Sequence, residues 1–165
     1  MKPLVLLFDL DGTLTDPRPP LRETFATLLE NRIYAGVGQM LDEAREAASA
    51  AFVATLKPKL YADRIGRRLG FEPYFAGVYG PELEGRFDDK VDLLAHLLAS
   101  EKVSPERAVM IGDRAGDIAA ARANRVRSIG VLWGYGSESE LADARADGLC
   151  VSPGELGSCL RRLAI

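Results

Sequence analysis

Asp9 and Asp11 stand one residue apart, and Asp113 is followed four residues later by Asp117. The first pair comes directly after the apolar run Leu4 to Phe8, where the period-two pleat would direct both side chains to one side of the strand end. Asp113 follows a second such run, Ala108 to Ile111. If these two strands are neighbours, Asp9, Asp11 and Asp113 converge, and their repulsion opposes folding unless a hard, oxygen-ligated divalent cation sits between them. Magnesium is the natural candidate. A stretch of the form Asp-x-Asp-Gly-Thr, as in Asp9 to Thr13, arises by accident in roughly one chain in a thousand of this length. Asp117 falls in the first turn of a helix, where the dipole favours an acid, a role it can combine with outer-shell support of a metal.

Two further residues have matching chemistry. Lys90 opens the helical pattern from Asp89 to Ser100, where the dipole disfavours a cation by some tenths of a kcal/mol; there it could neutralise a phosphate and a nucleophilic carboxylate. Thr55 ends the run Ala51 to Thr55 and could offer its hydroxyl to a phosphate oxygen. Read singly, Lys90 is a solvated lysine and Thr55 an ordinary strand residue.

The elements that must position these groups alternate along the chain. Strands are predicted at Leu4 to Phe8, Ala51 to Thr55, Gly77 to Tyr79, Ala108 to Ile111 and Ser128 to Leu132, with a weaker edge at Leu149 to Val151. Helical patterns lie near 20–31, 37–49, 58–69, 89–100, 116–124, 138–146 and 154–163. Such alternation predicts an α/β fold, a doubly wound Rossmann-like parallel sheet flanked by helices. Sites in such sheets lie at the carboxyl ends of the strands, near the point where strand order reverses.

The 165 residues, 47% hydrophobic and 27% charged, suit a single domain over 1–165. A formal charge of −3 offers no footprint for nucleic acid and no polybasic membrane arm. Two cysteines, Cys150 and Cys159, and the one histidine, His96, cannot build a Cys/His zinc site. His96 lies mid-helix and reads as a packing residue, and Gly36-Val37-Gly38 and Gly134-Tyr135-Gly136 read as turns. The first apolar run is too short for a signal peptide, and no other stretch reaches membrane-spanning length, so a cytoplasmic protein is expected.

Taken in order, Asp9 to Asp16, Thr55, Lys90 and Gly112 to Asp117 resemble the four motifs of the haloacid dehalogenase-like hydrolase superfamily. Val53 to Pro58, Tyr74 to Gly80 and Trp133 to Gly136 are similar to its phosphoglycolate phosphatase-like branch. The resemblance implies a magnesium-dependent phosphatase. Asp9 would be the nucleophile that becomes an aspartyl phosphate, and Asp11 the general acid and then base, with Thr55 and Lys90 completing the catalytic group. Asp9, the backbone carbonyl of Asp11, and Asp113 would hold Mg²⁺. Unit charges about 4 Å apart repel by about 4 kcal/mol at an effective dielectric of about 20, roughly a thousandfold in rate. The cation and Lys90 would remove that barrier. An acid two residues beyond the nucleophile favours phosphate over halide transfer, since halide leaves without a proton.

The branch carries a helical cap after the first motif, and here only a short remnant, residues 17–36, takes its place. The sequence therefore predicts an open site. Its substrate would be a phosphorylated small molecule or macromolecule, with a homo-oligomer as one way to cover the mouth. The rival reading is a weak or silent binding or assembly module that retains the metal site.

Overall fold

The computed structural model describes residues 4–17 and 31–163. Six parallel strands form the sheet: β1 (Val5–Phe8), β4 (Ala50–Ala54), β5 (Gly77–Tyr79), β6 (Ala108–Gly112), β7 (Arg127–Val131) and β8 (Gly148–Cys150), in the order β5-β4-β1-β6-β7-β8. A separate two-stranded ladder pairs β2 (Thr15–Asp16) with β3 (Arg32–Ile33), antiparallel. Between the sheet strands run α1 (Val37–Ala47), α2 (Lys59–Leu69), α3 (Lys90–Ser100), α4 (Ala115–Ala123), α5 (Glu138–Asp143) and, after β8, α6 (Leu156–Arg162). The α/β fold with a parallel sheet is thus as the alternation of patterns implies.

Alternation within β1 explains why helices cover both faces. Leu6 and Phe8 join one core cluster with Met40 and Leu41 of α1, Ile65 of α2 and Leu160 of α6. Val5 and Leu7 join the other with Leu94 and Leu97 of α3 and Ala120 and Ala121 of α4. A strand buried on both sides reads as a continuous apolar run, as expected of a parallel sheet.

The order of strands runs outward from β1 to β4 and β5, then returns to β6 and runs outward again through β7 and β8. The reversal falls between β1 and β6. These two pair in register from Val5 with Ala108 to Phe8 with Ile111, and the Asp9 amide donates to the Ile111 carbonyl at 2.9 Å. Asp9 and Asp113 therefore leave the sheet side by side at its switch point.

Boundaries shift by a residue or two from the sequence expectation. β4 starts and ends one residue earlier, leaving Thr55 in the loop, and the last helix begins at Leu156 after a 3₁₀ turn over Pro153–Glu155. α5 ends at Asp143 rather than near 146, with Arg145 at positive φ. The helix expected near 20–31 lies outside the described residues except at Asn31, which is not helical. The β2–β3 ladder is two residues long on each side, too short for periodicity to announce.

Leu7 is fully buried at the centre of the sheet, whereas Leu83 is 79% exposed. Leu7→Ala is expected to lower stability by about 2–5 kcal/mol, and Leu83→Ala by less than about 0.5 kcal/mol, read as shifts in urea midpoint.

Candidate active site

Three carboxylates meet at the switch point. One oxygen from each of Asp9, Asp113 and Asp117 lies within 4.8 Å of the others, and all three residues are buried. Asp9 extends β1, Asp113 extends β6, and Asp117 is in the first turn of α4. Lys90, at the start of α3 and 7% exposed, places its Nζ 2.5 Å from Asp9 Oδ1 and 2.6 Å from Asp117 Oδ1. Its helix is started by Asp89, whose carboxylate accepts from the amides of Val91 at 2.8 Å and Asp92 at 3.2 Å. That cap satisfies two of the orphan N–H groups and offers the dipole a negative charge. Lys90 itself is occupied by the acids it faces.

Burial pushes the Asp9 carboxyl above the ordinary aspartate range, with Lys90 pulling it down and Asp117 and Asp113 pushing it up. Burial works against the Lys90 ammonium, but Asp9 and Asp117 outweigh it and hold the amine above the ordinary lysine range. Burial likewise raises Asp113, against the hydrogen bond that its Oδ2 accepts from the Tyr135 amide at 2.8 Å. Three acids thus face one ammonium. An all-oxygen donor set with surplus negative charge suits a hard divalent cation, so Asp9, Asp113 and Asp117 could hold a metal.

The walls around Asp113 are backbone. Gly12, at φ +88°, turns the chain after the first strand so tightly that a Cβ there would collide with the Asp113 carboxylate. Gly134, after β7, is as close: its Cβ would meet the Gly12 carbonyl and Asp113 Cβ. Trp133 Nε1 donates to the Thr13 carbonyl at 2.8 Å, and Tyr135 Oη donates to Asp16 Oδ1 at 3.0 Å. The loop after β7 is thereby tied to the first-motif loop across the top of β6. Gly134 and Gly136 thus do more than turn the chain, and the glycines of Trp133-Gly134-Tyr135-Gly136 are the sequence signal of that close approach.

Asp11 sits apart. Its Oδ2 pairs with Lys57 Nζ at 2.9 Å, and its Oδ1 accepts from Thr15 Oγ1 at 3.2 Å. β1 ends at Phe8, so Asp11 belongs to the turn around Gly12 rather than to the pleat that would have aligned it with Asp9. Thr55 is buried two residues before Lys57, whose amide donates to Thr55 Oγ1 at 3.1 Å. Lys57 is a site residue that the sequence does not announce, since one lysine beyond a strand end carries no signal without its partner. His96 stacks on Phe87, with ring centroids 4.2 Å apart.

Glu140 of α5 supports the acidic group from behind. Its Oε1 accepts from the Ala115 amide and from Arg114 Nε, both at 2.9 Å, so it holds the start of the helix that carries Asp117. The Ala115 and Arg114 hydrogen bonds lower its carboxyl below the ordinary glutamate range.

A family model, haloacid dehalogenase-like hydrolase, matches residues 26–124. A 5'-nucleotidase of Pseudomonas aeruginosa is 34% identical, with 82% of this chain and 86% of that protein covered. The tyrosine-protein kinase PtkA of Mycobacterium tuberculosis is 31% identical over 81% of this chain and 64% of the kinase. The crystal structure of a phosphatase from Clostridium acetobutylicum, itself assigned by prediction, superposes with a TM-score of 0.88 at 26% identity, over 97% of this chain and 99% of that one. Among the described residues no helix is long and apolar enough to cross a membrane.

Two expectations follow. Lys90→Met strips the ammonium that pairs with both Asp9 and Asp117 and is expected to cost about 3–5 kcal/mol, measured by urea unfolding. A lowered carboxyl stabilises the fold above the ordinary glutamate range and loses that contribution as the pH falls through its folded value. The stability gap between wild type and Glu140→Gln should therefore be full at pH 7 and close on acidification, as urea midpoints across that range would record.

The strand order, the acids gathered at its reversal and the matched family model converge, and the chain belongs to the haloacid dehalogenase-like hydrolases.

Proposed function

We propose that this chain is a magnesium-dependent phosphomonoester hydrolase working through an aspartyl phosphate on Asp9, in an open site without a full cap. The observation that carries the reading is the Asp9–Lys90 pair inside the acidic group: a carboxylate at the strand switch point with an ammonium 2.5 Å away. Such a pair offers a nucleophile together with the charge that lets it approach a phosphate dianion. The hydrolytic relative from Pseudomonas supports the same chemistry.

Each residue has a task in this reading. Asp9 Oδ attacks phosphorus, and the ester oxygen leaves with a proton from Asp11. Water then attacks the aspartyl phosphate, Asp11 takes its proton, and orthophosphate departs. The Thr55 hydroxyl accepts from the Lys57 amide, which leaves its own hydrogen for a phosphate oxygen. Lys90 offsets charge on Asp9 and on the phosphoryl group. Asp9, the backbone carbonyl of Asp11, and Asp113 would hold Mg²⁺, with Asp117 behind them. When bound, the ion supplies neutralisation of the carboxylates and of the phosphoryl oxygens. The substrate is a phosphorylated small molecule or a phosphorylated segment of a macromolecule, and in the sequence residues 17–36 take the place of a cap that would select it. A second copy of the chain over the mouth would supply the missing cover. The formal charge of −3 leaves nucleic acid and membrane outside this reading, in keeping with the cytoplasmic location expected from the sequence.

Release of phosphate from p-nitrophenyl phosphate is expected with Mg²⁺ and lost on chelation with EDTA. Asp9→Asn should stay folded by circular dichroism yet lose at least about a thousandfold in turnover. Mg²⁺ should raise the melting temperature of the wild type, and Asp113→Asn should remove that rise. A protein that binds Mg²⁺ but turns over no phosphoester would be the silent module instead.

A further inference from the structure

Lys57 has no part in the acidic group, yet its placement is closely fixed. Its amide donates to Thr55 Oγ1 at 3.1 Å. Its carbonyl lies so near Gly80 that a Cβ there would stand 2.6 Å from it. Thr55 in turn donates its amide to the Tyr79 carbonyl at 3.0 Å. The backbone at residue 57 is thereby pinned against the ends of both β4 and β5. Such anchoring contrasts with Lys59, two residues on, which pairs with Asp63 one turn along its own helix and is 47% exposed at the side chain. The Lys57 side chain is 17% exposed.

The ammonium so placed meets Asp11. Lys57 Nζ holds Oδ2 at 2.9 Å and Thr15 Oγ1 holds Oδ1 at 3.2 Å, so both oxygens of one carboxylate are fixed at once. Lys90 is committed to Asp9 and Asp117. The site therefore has two cations with separate partners: one inside the acidic group, and one keeping Asp11 outside it. A carboxylate left unheld there would sweep several rotamers, and misplacement of a reacting group by about 1 Å can cost about a hundredfold in rate.

We propose that Lys57 is a positioning residue for Asp11, holding that carboxylate where it takes the proton from the water that attacks the phosphorylated Asp9. The inference rests on the proposed phosphatase reading. In the step concerned, a bond forms from water oxygen to phosphorus and the bond from phosphorus to Asp9 Oδ breaks. One water proton passes to Asp11, orthophosphate leaves, and the Asp9 carboxylate is regenerated. Lys57 keeps its own protons throughout and touches neither phosphorus nor water.

The test separates the two halves of the reaction. With p-nitrophenyl phosphate the leaving group departs without a proton, so transfer to Asp9 does not depend on Asp11. The later attack of water does. Lys57→Met keeps the aliphatic stem and the amide bond to Thr55 while removing the ammonium. In rapid-quench kinetics with Mg²⁺, the variant should release the first equivalent of nitrophenolate at a rate within about twofold of wild type. Its steady-state kcat should fall by about 10- to 100-fold, as expected when a general base is misplaced, and phosphoenzyme should accumulate. An unchanged kcat, or equal slowing of both phases, would overturn the positioning role while leaving the phosphatase reading intact; equal slowing would instead make Lys57 a contact to the phosphoryl group. Wild-type protein inactive on every ester would remove both.

Discussion

An ammonium with two carboxylates on it and a third within reach is the constraint from which most of this molecule follows. Lys90 cannot be buried alone, and neither can Asp9 or Asp117; each is tolerable inside because the others are there. The balance is still short of neutral, since Asp113 is held by neutral donors, the Thr13 hydroxyl and the Tyr135 amide. A fold that gathers three acids around one amine leaves a surplus of negative charge that a hard divalent cation could neutralise. The requirement also explains the architecture. Only loops at the reversal of a parallel sheet bring together residues as distant as 9, 90, 113 and 117 while keeping the strands beneath them entirely apolar.

Much of this was legible in the sequence because it depends on local order. An apolar run followed at once by an acid tells both that a strand ends and that something is put at its end, as at Phe8–Asp9 and Gly112–Asp113. The position of Lys90 against the dipole of its own helix was informative for the same reason: a residue that local physics disfavours points to a distant partner. Asp117 reads as an acid in a helix's first turn, and there its Oδ2 accepts from the Arg114 amide, while its Oδ1 faces Lys90.

What could not be read was whatever depends on one loop meeting another. A continued period-two pleat would place Asp11 beside Asp9, but the strand stops at Phe8 and the turn at Gly12 carries the second carboxylate towards Lys57 instead. No period in the sequence encodes that turn's direction. Lys57, Trp133 and Glu140 acquire their meaning from partners some 25 to 120 residues away. The β2–β3 ladder is likewise a tertiary feature, joining two segments on either side of residues 18–30.

The glycine walls around Asp113 bear on how such a site could change. Because Gly12 and Gly134 admit no larger side chain without displacing the carboxylate, the floor of the chamber is closed to variation. Its upper margin is not: Leu56, 47% exposed, stands between Thr55 and Lys57 just beyond the end of β4. Natural drift or laboratory selection toward new esters has its freedom there, where a change of shape or polarity leaves the charge arrangement below untouched.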